Sequence, residues 1–253
     1  VVSDIKEIAE VVHRHEIPLI VDEAHGAHFR FSEYFPVSAA ELGADVVVQS
    51  FHKTLPSMTQ TAVLHVCSDM VDVGKIKRFM GIYQTSSPSY ILMASMDACM
   101  DKLQKDGKQM FREFTYNLEK ARQRLSKCEK IKLIEASMLQ GTGIYDYDRS
   151  KLLFSTVGTS INGHQLHEIL RDRYHIEMEM EAEKYALGIA AVGDTEEGFD
   201  RICSAIEEID AETELVSAAE ESQENTSHAR MKQLMTISQA VDAQQRRYPL
   251  EES

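Results

Sequence analysis

The chain has 253 residues, enough for one large domain or two modest ones with real cores. It is 43% hydrophobic and 27% charged, the profile of a soluble globular protein. A net charge of −14 argues against nucleic acid or an anionic membrane as a main partner, and no apolar run approaches the ~20 residues of a membrane span. The four cysteines, Cys67, Cys99, Cys128 and Cys203, are scattered, with no C-x-x-C and no paired histidines nearby. This is neither a disulfide framework nor a metal site, and it fits reduced thiols in a cytoplasmic protein. The chain opens VVSDIKEIAE without an initiator Met, shows no signal peptide and stops at PLEES, so it reads as an internal piece of a longer protein.

Asp4 and Glu7 have capping-box spacing, and Ile5, Ile8, Ala9 and Val12 follow at helical intervals. PLIVDEAHG reads as a short buried strand ending near Asp22, residues 37–43 as a short helix closed by Gly43, and ADVVVQS and TAVLHVC as two further strands. This alternation predicts an α/β layer, mostly parallel, with helices on its faces. A helical stretch begins at Ser87-Pro88, with the proline at a first helical position. Its apolar stripe runs through Ile91, Leu92, Met96, Cys99, Met100 and Leu103; Gly107 predicts a break before a second helix carrying Phe111, Phe114, Leu118, Ala121 and Leu125. Short strands at KIKLIEA and KLLFSTV follow, then a helix with Leu166, Ile169, Leu170 and Tyr174 on one face. YALGIAAVG reads as a strand, and Asp194-Thr195-Glu196-Glu197 caps a helix bearing Phe199, Ile202, Cys203, Ile206 and Ile209. The predicted organisation is a large domain over 1–90, connecting helices over 91–128 and a smaller α+β domain over 129–253, with an acidic linker near 211–230.

Two polar clusters sit at the carboxyl ends of predicted strands, where open α/β sheets bind ligands: Asp22-Glu23-Ala24-His25-Gly26-Ala27-His28, and Ser50-Phe51-His52-Lys53. A pyridoxal phosphate site needs a lysine for a Schiff base, a carboxylate against the pyridinium nitrogen and donors for the phosphate. Lys53, Asp22, and Ser50 with His52 supply those types, and adjacent strands would bring them together. A lone turn lysine is ordinarily a solvated surface group; the neighbours give this one its meaning.

VDEAHGAH followed by SFHKTLPSMTQ, including Gln60, resembles the Orn/Lys/Arg decarboxylase family of the aspartate-aminotransferase fold type. The likeness extends through QTSSPSY, HQLHEILRDRYHIEMEMEAE and VGDTEEGFDRI, over nearly the whole chain. It implies a partial large cofactor domain, pyridoxal phosphate as cofactor, and decarboxylation of arginine, lysine or ornithine. It implies Lys53 as the Schiff-base lysine, Asp22 at the pyridine nitrogen, Ser50 and His52 at the phosphate, and His25 beside the ring. Thr85 and Ser86 would reach the phosphate of a neighbouring subunit in a homodimer or higher oligomer, and Glu179 is a candidate for substrate-side contacts. His28 reads as structural or supporting, and IEMEMEAE also reads as an alternating strand with an acidic face.

D-E-A-H also matches a motif of RNA helicases, but no G-x-x-x-x-G-K-[ST] phosphate loop accompanies it here and the acidic charge opposes RNA binding. An aminotransferase or lyase of the same fold shares the Asp and Lys, and Arg149, Arg171, Arg173 and Arg201 are available for a substrate carboxylate. The abrupt ends also motivate a piece with only an assembly role.

Overall fold

The structure, a computed structural model, describes residues 1–216 and 233–243. Residues 1–216 pack as one compact unit and 217–253 form another. In the second, a short helix α7 (Ile237–Asp242) begins with a reciprocal capping box between Thr236 and Gln239. Most of the acidic stretch at 211–230 lies outside the described residues; 211–212 end a helix that starts at Glu196, and Leu215 bridges to Thr159.

The larger unit opens with α1 (Ile5–His13), whose first turn is capped as expected by the Asp4 carboxylate, accepting the Glu7 N–H at 3.0 Å. Strands β1 (Ile20–Asp22), β2 (Val46–Ser50) and β3 (Ala62–Val66) form a three-stranded sheet in that order. The expected parallel pairing joins β1 to β2, in register Ile20↔Val46 and Asp22↔Val48. β3 runs antiparallel to β2, Val46↔Val66 through Ser50↔Ala62. A parallel return needs a crossover of a dozen or more residues, and the connection from Ser50 to Ala62 holds only a one-turn helix α2 (Phe51–Thr54) and a loop. Residues 37–43 give a single 3-10 turn, Ala39–Glu41, rather than an α-helix, and Gly43 follows at φ +97° with its Cα facing the Ala9 side chain.

Helix α3 (Val73–Tyr83) was not legible beforehand, because its apolar residues face no core: none of it is buried. The expected break at Gly107 is absent. One helix, α4, runs 36 residues from Tyr90 to Leu125, capped by Ser89 rather than Ser87. An interior glycine costs about 1 kcal/mol. Gly107 is buried, and the residues flanking it, Cys99, Leu103, Phe111, Phe114, Leu118, Ala121 and Leu125, form one continuous buried stripe that outweighs that cost. The stripe does not reach the first turn, where Ile91 stays exposed, and Met100, about 100° around the helix from Cys99, is exposed as well.

Strands β4 (Lys132–Leu133), β5 (Lys151–Ser155), β6 (Met180–Ala182) and β7 (Tyr185–Ile189) form an antiparallel sheet in the order β4-β5-β7-β6. Helix α5 (Gly163–Tyr174) packs on β6 and β7 and is capped by Asn162, while α6 (Glu196–Glu212) packs on α4 and α5 and is capped by Thr195, within the expected capping run. Arg122, buried on α4, donates to the carbonyls of Ile134 and Arg149 at 2.9 Å and pairs with Glu135 at 3.0 Å, tying the helix to this sheet.

A smaller hydrophobic cluster gathers Ala39, Ala44 and Val47, and the larger one runs from Ala27 to Ile209. The segment after β1 enters it through rings: Phe31 stacks on Phe111 at 5.1 Å and Phe35 on Phe114 at 5.8 Å. The same segment carries His28, whose Nε2 lies 3.3 Å from Asp148 Oδ1 and 3.4 Å from Ser150 Oγ, all three buried. His28 is therefore structural, as read from the sequence.

Two predictions follow from this packing. A Cβ on Gly163 would overlap the carbonyl oxygens of Ala182 and Tyr185, which are backbone and cannot swing aside. Gly163→Ala is expected to destabilise the chain by about 3 kcal/mol, read as a lower urea midpoint; an unchanged midpoint contradicts the packing. The second concerns acid. Burial alone would push the Asp148 carboxyl up, but the His28 ring, the Lys151 ammonium and the Ser150 hydroxyl hold it well below the usual carboxylate range. A depressed carboxyl stabilises the fold above its unfolded value near 4 and loses that contribution as pH falls below it. Asp148→Asn should cost about 3 kcal/mol at neutral pH and should flatten the loss of stability below about pH 4. Asp45, also held low chiefly by Ser68, Leu19 N–H and His13 against its burial, keeps a residual slope. Parallel pH profiles for variant and wild type would contradict this.

Candidate active site

The carboxyl ends of β1 and β2 lie side by side because two buried carboxylates fasten the pair at both ends. At the start, Asp45 accepts the Leu19 N–H at 2.6 Å, faces His13 Nε2 at 2.8 Å and accepts the Ser68 hydroxyl. At the finish, Glu23 accepts Ser38 Oγ at 2.8 Å, the Ala39 N–H at 2.7 Å and the Gln49 side-chain amide. Gln49 is itself fixed by His65 Nε2 at 3.1 Å. A carboxylate with three donors satisfies its lone pairs without water. Gly26 is needed beside it: a Cβ there would run into the Glu23 and Phe29 side chains.

This arrangement leaves the next residues on each strand facing a cleft of about 450 Å³, whose walls include Asp22, His25, Lys53, Asp148 and Lys151. Lys53 sits on α2. Phe51 and Thr54 bury the inner side of that turn, and the Leu55 N–H closes it onto the Phe51 carbonyl at 2.8 Å. Lys53 Nζ lies 3.0 Å from His25 Nε2. With Lys53 donating, Nε2 accepts and the ring proton sits on Nδ1, which is buried without a hydrogen-bond partner among the described residues. Burial, then the ammonium groups of Lys53 and Lys151, push the His25 ring below its usual value, against the opposing charges of Glu179 and Asp22. Asp22 is exposed at the cleft, with Oδ1 accepting the Ala24 N–H at 3.0 Å.

Asp22, His25 and Lys53 are thus brought together, as the sequence reading expected. Ser50 and His52 lie on the adjoining turn rather than on the cleft wall, and His52 Nδ1 pairs with the Thr61 carbonyl at 3.0 Å. Thr85 and Ser86 lie in the exposed link between α3 and α4, where Thr85 Oγ1 accepts the Ser87 N–H at 3.1 Å. Glu179 is exposed beside β6, close enough for its charge to act on His25. Sequence reasoning missed Asp148, Ser150 and Lys151. Their signal was a run of polar residues, DRSK, directly ahead of the apolar LLF of β5. A second, more open cleft of about 560 Å³ between α5 and α6 is lined by Glu196, Glu197, Asp200, Arg201 and Glu208, and shares none of these groups.

Residues 1–187 match the family model described as Orn/Lys/Arg decarboxylase, major domain. An arginine decarboxylase of Bacillus subtilis is 33% identical over 209 residues, 83% of this chain and 43% of that protein. The chain therefore spans less than half the length of this curated relative. Among solved structures, a lysine decarboxylase of Francisella novicida superposes with a TM-score of 0.65 at 15% identity, over 80% of this chain and 34% of that one. An aromatic aminotransferase of Pyrococcus horikoshii reaches 0.57 at 17% identity, over 84% and 56%. At such identities the superpositions speak for a common fold, while the family match and the bacillary relative decide the lineage: the chain belongs to the Orn/Lys/Arg decarboxylase family.

Proposed function

We propose that this chain is the part of a pyridoxal-phosphate-dependent decarboxylase of basic amino acids that carries the cofactor lysine, Lys53. The observation that carries the reading is one cleft holding Lys53, His25 and Asp22, on strand ends fastened by buried carboxylates, in a member of this family. In this reading residues 1–90 belong to the cofactor domain, 91–128 connect, and 129–253 belong to the small domain. Four free thiols support a cytoplasmic setting. No helix among the described residues is long and apolar enough to cross a membrane.

The residues fit the cofactor. Lys53 offers an amine in the cleft, and His25 Nδ1 is a buried polar atom whose hydrogen bond is unmet among the described residues, the kind of group a bound partner satisfies. Bound covalently at Lys53, pyridoxal phosphate supplies an electron sink for the carbon–carbon bond that releases carbon dioxide. Asp22, a carboxyl group at the cleft, would hold a proton on the ring nitrogen of the bound cofactor. His25 accepts from Lys53 and keeps the amine aimed into the cleft. Ser50 and His52 are donors on the adjoining turn for a phosphate, and Thr85 and Ser86 would serve the phosphate of a second subunit in a homodimer or larger assembly. The acidic surface suits a cationic substrate: arginine, lysine or ornithine.

The test is release of carbon dioxide from the three basic amino acids with the cofactor added. Wild-type chain is expected to act on at least one of them, Lys53→Ala on none, and Asp22→Ala more slowly by about 10²–10³-fold. Near-wild-type turnover in Asp22→Ala would refute its role. Amine exchange with a keto acid, without carbon dioxide, would instead favour an aminotransferase.

A further inference from the structure

The cleft holds a second amine that sequence reasoning did not single out. Lys151, at the first position of β5, places Nζ 2.9 Å from Asp148 Oδ2 and 3.2 Å from Ser150 Oγ. Its side chain is only 18% exposed and lines the same cleft as Asp22, His25 and Lys53. The plain reading is an ion pair that neutralises a buried carboxylate. Three observations go further. Asp148 is already satisfied without it, accepting the Ser150 N–H at 2.9 Å and the Ser150 hydroxyl at 2.7 Å and facing His28 Nε2 at 3.3 Å. An ammonium has three donors, and the hydrogen bonds of Lys151 among the described residues use two. Its charge is felt at His25, so it acts across the cleft and not only on its partner. A cation locked from behind by a rigid, buried network, with a donor to spare at a cleft wall, is suited to hold an oxyanion.

We infer that Lys151, seated on Asp148 and Ser150, is the oxyanion anchor of this cleft and takes the α-carboxylate of the amino-acid substrate. The inference rests on the decarboxylase reading for the identity of its ligand. Lys151 grips the group that is to leave as carbon dioxide. The amine product lacks that group, so the anchor favours entry of substrate and departure of product. A cofactor phosphate presents the same oxyanion chemistry, and the experiment separates the two.

Calorimetric titration of the full chain without added cofactor, with arginine and with agmatine, its decarboxylated amine, tests the anchor. Wild type is expected to bind arginine at least about tenfold more tightly than agmatine. Lys151→Gln should erase the difference and leave agmatine unchanged, and Lys151→Arg should restore it. No difference in wild type, or equal weakening of both ligands in Lys151→Gln, overturns the assignment. So does a Lys151→Gln variant that loses pyridoxal phosphate affinity alone and keeps the arginine preference, because the anchor then serves the phosphate. Should Lys151→Gln fail to fold, judged by circular dichroism, the double variant Asp148→Asn with Lys151→Gln removes the buried charge together with its partner and takes its place. Absence of carbon dioxide release by wild type, together with an arginine preference that Lys151→Gln erases, would defeat the decarboxylase reading and uphold Lys151 as a carboxylate anchor.

Discussion

The constraint on which the rest depends is the parallel register of β1 and β2. With Asp22 opposite Val48, the chain leaves both strands at the same edge, and residues far apart in sequence come to share one cleft. A slip by one residue would reverse the faces of every side chain on the slipped strand. Two strands as short as these have little pairing energy of their own, and Asp45 and Glu23 supply the specification at the two ends. Hydrogen bonds to charged groups contribute about 1.5–3 kcal/mol each, and a buried carboxylate stripped of them would be strongly destabilising. The register is thus fixed by polar groups, while the apolar residues Val46 and Val47 supply only burial.

The second sheet reaches the same cleft by a different route. The rings of Phe31 and Phe35 dock the segment after β1 onto α4, and Arg122 docks α4 onto β4 and the start of β5. The Asp148–Ser150–His28 network closes the loop between the two, and Lys151 emerges from it into the cleft. One wall of the cleft is therefore set by strand register and the other by helix packing.

Much of this was legible in the sequence because it rests on local signals. Capping residues gave the starts of α1 and α6, the apolar face of Leu166, Ile169, Leu170 and Tyr174 gave α5, and the two polar clusters after apolar runs placed Asp22, His25 and Lys53 at strand ends. The antiparallel sense of β3 was within reach of the sequence, because the short connection from Ser50 to Ala62 leaves no room for a crossover. Elements decided by tertiary contact were not legible. Gly107 looks like a breaker until the buried stripe on both sides of it is known. Lys151 was invisible for a similar reason. Its meaning comes from Asp148 and His28, and His28 lies more than a hundred positions away, so no spacing rule connects them.

The most direct measurement is reductive trapping of pyridoxal phosphate on the purified chain with borohydride, followed by peptide mapping of the labelled lysine. The account requires the label on Lys53, the amine held 3.0 Å from His25 at the end of the stapled pair. Label on Lys151 or on any other lysine, or a folded chain that takes no label, would contradict it.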